Sequence, residues 1–230
     1  MRPDVDAVLR TAARPAESTG FMVSYLPEPD EGWLELLAMG LTYDISGLAP
    51  LAAAGSSTPE HFYGIDAACA GQPLEAVRLV PGEHISSSRM MMPVLRILAG
   101  LGAELARLPG LQAVGWETAR SWMAPAYFMS AVRAWLAGGA FPALGLTAIR
   151  RKDDGAMASV GLALFTGLEI ELAPLAGEAP QDAAKLFARS IHQLVQSAEP
   201  ARELLVDLGG QPISGTLDAG EGVLRLCRKG

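Results

Sequence analysis

The chain contains no asparagine, two cysteines and only three lysines among its 18 basic residues. Together with the high alanine content, this composition is typical of GC-rich bacterial coding. Cys69 and Cys227 lie far apart without a CxxC pair, which argues against a disulfide scaffold and predicts two free thiols in a reducing cytoplasm. Asp4 and Asp6 stand where a signal peptide needs an apolar core, and no uncharged apolar run approaches about 18 residues. We therefore expect a soluble, cytoplasmic bacterial protein with no membrane partner.

Positive charge is also scarce. Acidic residues outnumber basic ones by 25 to 18, which gives a net charge of -7 and a pI near 5.0. The basic residues are scattered, apart from short clusters at residues 150–152 and 228–229. A negative protein without a basic patch repels a phosphate backbone, so we expect no nucleic-acid partner.

The local motifs of common catalytic sites are missing. The three histidines, His61, His84 and His192, lack the spacing of a zinc site. Gly100 and Gly102 lie inside a helical pattern with no third glycine, which argues against a dinucleotide loop. A Gly-x-Ser-x-Gly nucleophile motif does not occur. We expect no metal and no cofactor, and a protein without catalytic activity is favoured over an enzyme.

Hydrophobic residues make up 50% of the 230 positions, which is enough for a core without disulfides or metals. Their spacing predicts helices over residues 4–13, 59–70, 89–107, 125–137 and 180–197. Strands are predicted over residues 21–26, 41–45, 74–80, 111–116, 144–149, 211–216 and 223–227, whereas residues 32–40 fit either state. This order predicts an α+β fold, a mostly antiparallel sheet covered by helices, in one compact domain over residues 1–230.

A short internal sequence similarity allows a second domain organisation. Residues 39–52 and 161–176 share a Gly-Leu pair near their start and an Ala-Pro-Leu-Ala ending, and each precedes a predicted helix that opens with proline. A duplication would produce two similar halves at about residues 15–75 and 140–200. Chance in a chain rich in alanine and leucine explains this similarity equally well.

The chain is organised around residues 157–174, which hold two apolar runs joined by a turn. The first run, residues 160–165, predicts a central strand with Leu162 buried. The second alternates apolar residues with Glu169 and Glu171, which is typical of a half-buried strand. These two carboxylates are expected about 7 Å apart on one face, a spacing used in paired-carboxylate catalysis. A solvated strand face is the favoured interpretation.

Residues 86–93, Ser-Ser-Ser-Arg-Met-Met-Met-Pro, have the most unusual local composition. The serines are suited to cap the helix predicted from residue 89, with the methionines filling a core. Alternatively, Ser87, Ser88, Arg89 and the nearby His84 form a site for a small anionic ligand at that helix N-terminus.

A Gly-Leu, Phe-Gly, Glu-x-Glu pattern is formed by Gly161, Leu162, Phe165, Gly167, Glu169 and Glu171. This pattern resembles a bacterial family catalogued as domain of unknown function 4261. The closing residues 208–215 resemble the segment that ends that family, although Gln211 and Pro212 stand where an Asp-Thr pair is expected. The likeness extends from residue 74 to the C-terminus. It implies an α+β domain without an established activity, so it assigns no catalytic residue.

These observations leave three functional hypotheses. The first is a non-catalytic accessory or protein-interaction domain with an unknown protein partner. The second is binding or turnover of a small anionic molecule near residues 86–89, and the third is homodimerisation through the apolar helices. Exposed apolar area would favour interaction, whereas a deep pocket around Arg89 would favour a ligand.

Overall fold

The computed structural model describes residues 2–28, 31–65, 74–174, 177–197, 206–207 and 212–228. The chain forms helices and three mostly antiparallel sheets, which confirms the predicted α+β class. It divides into two compact units, Met1–Gly115 with Trp122–Ala140 and Trp116–Ser121 with Phe141–Gly230. None of the helices within the described ranges has the length and apolar character needed to cross a membrane.

The first half of the chain supplies a four-stranded antiparallel sheet and three helices. Its elements are α1 (Val5–Ala12), β1 (Met22–Tyr25), β2 (Trp33–Ala38), β3 (Leu41–Ser46), β4 (His61–Tyr63), β5 (Arg78–Pro81), α2 (Met92–Leu105), β6 (Val114–Trp116), β7 (Ser121–Met123) and α3 (Pro125–Leu136). The four-stranded sheet has the order β1-β2-β3-β5, and the short strands form a second sheet in the order β4-β7-β6. The strands β1, β2, β3 and β5 pair antiparallel throughout.

The core of the first unit lies between the four-stranded sheet and its helices. Leu34 and Leu36 of β2 and Tyr43 and Ile45 of β3 alternate inward and are fully buried. They join buried residues of α1 and α2 in one cluster. Burial raises the pKa of the Tyr43 hydroxyl to about 12, and this hydroxyl donates to the carbonyl of Val94 at 3.0 Å. One face of the sheet is therefore committed to the core.

One prediction in this half needs correction, and one open assignment is resolved. Residues 59–70 were expected to form a helix, but the chain forms β4 over His61–Tyr63, and residues 66–70 lie outside the described part. The ring of Phe62 packs edge-on against Trp122 of β7 at 6.5 Å, so pairing with a distant strand overrides the local helix signal. The ambiguous residues 32–40 form strand β2 and the turn into β3.

The second unit contains a six-stranded sheet. Its elements are β8 (Ala148–Arg151), β9 (Met157–Val160), α4 (Ala163–Thr166), β10 (Glu169–Leu172), α5 (Pro180–Gln196), β11 (Val206–Asp207), β12 (Pro212–Asp218) and β13 (Val223–Arg228). The order is β11-β12-β13-β10-β9-β8, with β10 and β13 parallel and the other pairs antiparallel. Strands β8, β9 and β10 form an antiparallel meander, and the strand predicted over residues 144–149 begins only at Ala148. The amphipathic helix α5 buries Leu186, Phe187, Ile191 and Leu194.

The predicted strand at residues 160–165 is wrong. β9 ends at Val160, Gly161 adopts φ +84°, and the chain makes the short helix α4 before β10 begins. Leu162 is fully buried as expected, but it lies at the start of α4 rather than on a strand. The structure does not confirm the internal duplication, because residues 41–46 form strand β3 whereas residues 163–166 are helical.

A buried carboxylate fixes the segment that leads into β1. Glu104 of α2 is 2% exposed and accepts from the amides of Glu17 and Ser18 at 2.8 and 2.5 Å. It also accepts from the Ser18 hydroxyl at 2.7 Å and pairs with Arg107 at 3.0 Å. Burial alone would raise the pKa of Glu104, but the bonds from Ser18, Arg107 and Glu17 outweigh it, so the pKa is lowered. The ionised side chain therefore stabilises the fold.

Replacing Glu104 with glutamine is expected to lower the free energy of unfolding by about 2 kcal/mol at neutral pH. Because the folded-state pKa is depressed, this contribution is present above the unfolded-state value of about 4.5 and is lost as the pH falls through the lower folded value. Urea unfolding of both proteins between about pH 7 and pH 4 should therefore show a shrinking difference. An equal difference across this range would show that the charge of Glu104 contributes nothing.

Candidate functional site

The carboxylate of Glu169 lies in a cradle of donors. The amides of Gly161, Leu162 and Ala163 donate to it at 2.9, 3.2 and 3.1 Å. The hydroxyl of Ser159 also donates to Glu169 and itself accepts from the amide of Ile170. We call these residues, Ser159 and Gly161 to Ala163, the Glu169 cradle. A carboxylate offers about four acceptor positions, so the cradle saturates Glu169.

The cradle depends on the glycine at its start. Gly161 has φ +84°, a conformation that residues with a Cβ rarely adopt. A Cβ there would also lie 2.8 Å from the backbone of Thr118 and Ala119. Phe165 then anchors α4, because its ring stacks on Trp116 at 6.2 Å and meets Phe141 edge-on at 4.9 Å. The Gly-Leu, Phe and Glu pattern of the sequence is thus a turn whose amides are capped by a carboxylate.

Glu169 and Glu171 alternate with the buried Ile170 and Leu172, as predicted for a half-buried strand, but their face is only partly exposed. Both side chains are half-buried, and each has its own partner. Glu171 forms an ion pair with Lys152 at 3.0 Å, whereas Glu169 is held by the cradle. The two carboxylates share no donor among the described hydrogen bonds. Each glutamate therefore has a structural role of its own, and their contacts do not indicate paired-carboxylate catalysis.

The residues proposed for an anionic ligand lie before α2 rather than in it. His84, Ser87 and Ser88 belong to the 3-10 helix Glu83–Ser88, and Arg89 lies in the turn that follows. The N-cap of α2 is Met91, and no side chain caps this helix. Capping by the serines is therefore wrong, and the helix begins three residues later than expected. His84, Ser87 and Arg89 are exposed, and the anion site that they were expected to form stays a prediction.

Several elements meet at one end of the four-stranded sheet. Met22 of β1 pairs with Leu37, and Met39 lies in the turn that joins β2 to β3. The amide of Gly82, directly after β5, donates to the carbonyl of Thr42 at 2.9 Å. Met22 is 58% exposed and Met39 is 78% exposed. Two thioether side chains therefore face solvent at this end of the sheet.

The segment before α2 reaches the same end, since Tyr43, next to Thr42, donates to Val94 in the first turn of α2. Met90 and Met91 precede this turn and are 51% and 57% exposed. A core filled by methionines was one interpretation of residues 86–93, and it is wrong for these two. The methionine end, as we call it, comprises Met22, Met39, Met90 and Met91.

The outer face of this sheet, opposite the core, carries apolar and acidic side chains, and the exposed Arg78 of β5 lies on it beside Ser46. Trp33, Glu35 and Leu37 of β2 are half-buried and alternate with the buried residues of the same strand. Tyr25, at 54% exposure, lies with its ring 5.7 Å from that of Trp33. We define the outer face by Met22, Tyr25, Trp33, Glu35, Leu37 and Asp44.

Two carboxylates oppose each other at the centre of the outer face. Glu35 and Asp44 are direct partners in the β2–β3 register. The hydroxyl of Ser24 donates to Glu35 at 2.7 Å, but neither carboxylate forms an ion pair with another residue of the described ranges. Burial and then Glu35 raise the pKa of Asp44, with Glu83 adding to the rise and His84 opposing it. The outer face therefore holds an acidic pair without a cationic side chain bound to it among the described residues.

The remaining candidates occupy separate positions. Across the residues that the structure describes, no three or more His, Cys, Asp or Glu side chains are grouped to hold a metal ion. His192 accepts from the amide of Phe141 at 3.0 Å through Nδ1. Cys227 is an exposed free thiol, as predicted, and Cys69 lies outside the described residues. Trp122 and Phe128 are buried.

Comparison of the chain with protein-family models, with curated proteins and with solved structures gave no match.

Proposed function

We propose that this chain is a non-catalytic protein-interaction domain that binds a partner protein through the outer face and the methionine end. Exposed apolar area carries the proposal. Eight large apolar side chains are exposed among the described residues, and six of them lie on or next to β1, in the β2–β3 turn or directly before α2. Clustered exposed apolar side chains on a soluble domain mark contact surfaces.

The type of side chain supports the same proposal. Methionine is unbranched and polarisable, so it adapts to partners of different shape and is used at promiscuous binding surfaces. Tyr25 adds an aromatic side chain, a residue type enriched in interface cores. The small-anion alternative has less support, because α2 starts beyond Arg89 and Pro93 in its first turn has no amide hydrogen to donate.

The acidic pair argues for a different protein rather than a second copy of this chain. A two-fold dimer whose axis passes through the centre of the outer face would bring the Glu35 and Asp44 carboxylates of two copies together. Like charges that face each other in an interface are unfavourable. We therefore propose a heterologous partner instead of homodimerisation through this face.

The source, the cellular location and the family of the protein form part of the same proposal. A bacterial, cytoplasmic protein is supported by the absence of asparagine, the scarcity of lysine and the free thiol of Cys227. Membership of the domain of unknown function 4261 family is likewise proposed on the pattern from Gly161 to Glu171. Such membership would add no activity to the interaction role.

Affinity capture with a matched pair of variants tests the interaction. The first variant changes Met22, Met39, Met90 and Met91 to glutamine, and the control changes the exposed Leu51 and Leu144 to glutamine. We expect a protein from the native host that binds the wild type and the control. Its affinity, measured by calorimetry with both proteins purified, should fall at least about tenfold for the first variant. Equal binding to all three proteins, or no protein that binds the wild type, would contradict the proposal.

A further inference from the structure

The outer face presents its side chains in rows along β2. Trp33, Glu35 and Leu37 succeed one another at every second residue, so adjacent side chains are about 7 Å apart. In the middle row Glu35 lies between Tyr25 of β1 and Asp44 of β3. The first row runs from Trp33 through Ser46 to Arg78, and the last row joins Leu37 to Thr42. Met22 extends the Leu37 row, and Tyr25 packs against Trp33. Along β2 the outward side chains are therefore apolar, acidic and apolar over about 14 Å.

The acidic row is unfavourable in the isolated protein. Directly opposed like charges on neighbouring strands destabilise a sheet. Glu83 adds to the rise in the pKa of Asp44, and His84 opposes it. Arg78 lies on the same face beside Ser46, one row away from the pair. A cationic group placed between Glu35 and Asp44 would relieve this repulsion, and a partner protein can supply one.

We infer that the partner binds the outer face with a basic apolar segment, in which one lysine or arginine is flanked on the same side by apolar side chains about 7 Å away. The inference rests on the proposed function and names the chemistry of the partner. The cation is held between Glu35 and Asp44, while the flanking side chains cover Met22 with Leu37 and Tyr25 with Trp33. Arginine suits the site best, because its planar fork reaches two carboxylates at once.

A helix satisfies this spacing as well as a strand does. Residues four apart on a helix rise about 6 Å and lie on one face. A synthetic amphipathic peptide of about 16 residues with Leu, Arg and Leu at every fourth position therefore serves as the probe. Its counterpart carries glutamate in place of the central arginine.

Calorimetric titration of the full chain with both peptides tests the inference. We expect micromolar binding of the arginine peptide, no binding of the glutamate peptide, and weaker binding at high salt. The double variant Glu35→Gln with Asp44→Asn should bind the arginine peptide at least about tenfold more weakly. The double variant Asp6→Asn with Asp153→Asn removes the same charge from exposed positions elsewhere and should bind as the wild type does.

The other outcomes separate this inference from the proposed function. If neutralising Glu35 and Asp44 leaves peptide binding unchanged while Met22→Gln weakens it, the outer face binds apolar segments and the basic partner is wrong. The inferred basic apolar segment is also wrong if neither peptide binds while the binding of a captured protein still depends on the methionine end. If Ca²⁺ rather than the peptide gives a heat signal that the Glu35→Gln and Asp44→Asn variant loses, the pair is a cation site and the inference fails.

Discussion

Replacing Glu169 with alanine is expected to lower the free energy of unfolding by about 4 kcal/mol, because three amides and one hydroxyl lose their common acceptor. The amides of Gly161, Leu162 and Ala163 lie before or at the first residue of α4, where no carbonyl of the helix can accept from them. Chemical unfolding at neutral pH provides the measurement. A loss below about 1 kcal/mol would show that water replaces the carboxylate without cost.

A matched control separates the effect of losing the cradle contacts from the effect of removing a negative charge from β10. Glu171→Ala removes a carboxylate from the same strand, but its partner Lys152 is 37% exposed. Such a pair contributes about 1 kcal/mol or less. Formate should enter the emptied cradle of the Glu169→Ala variant and raise its melting temperature, with no comparable effect on the wild type or on Glu171→Ala. Equal formate effects on all three proteins would rule out an anion-binding cradle.

Leu162→Asp is expected to abolish soluble expression or to cost more than about 4 kcal/mol. Leu162 is fully buried, and its amide already contacts the Glu169 carboxylate at 3.2 Å. A second carboxylate at this position would be buried without a partner and would repel Glu169. The soluble fraction and the melting temperature provide the measurement.

Two further substitutions serve as controls for Leu162→Asp. Leu162→Met conserves volume and should cost less than about 1.5 kcal/mol. Leu144→Asp places the same charge at a side chain that is 41% exposed and should be tolerated. Wild-type melting of Leu162→Asp would contradict the burial of Leu162 and with it the core of the second unit.

The parts of the fold that could be predicted from the sequence are the ones with a long periodic signal. α3 and α5 agree with the predicted helices to within one residue at each end, because proline marks their starts and their apolar stripes continue for several turns. Strands β12 and β13 were likewise predicted around the turn at residues 219–222. The residues within and next to these elements determine where they begin and end.

The errors arose where distant contacts decide the local structure. Residues 160–165 are uniformly apolar and show no hydrophobic periodicity, so the sequence does not indicate the helix α4. This helix follows Gly161, which adopts a left-handed conformation beside Thr118. The role of Glu169 could not be predicted for the same reason, since its donors become visible only when α4 is in place. The signal available in the sequence was a glycine, Gly161, eight residues before Glu169.

The outer face could not be predicted because strand β2 was ambiguous. Leu34, Leu36, Leu37 and Ala38 form a nearly continuous apolar run, which only Glu35 interrupts. The methionines at residues 90–92 were expected in a core, since methionine is usually buried. Exposure depends on what packs over a residue, which sequence periodicity does not report.

Methyl NMR of methionine-labelled protein tests the central claim most directly, because the nine methionines of the chain report from separate places. On addition of a saturating amount of the captured partner, we expect the methyl signals of Met22 and Met39 to shift or broaden. Those of the buried Met123 and the half-buried Met157 should stay in place. Unchanged signals from Met22, Met39, Met90 and Met91 in the saturated complex would contradict the assignment of this surface as the binding site.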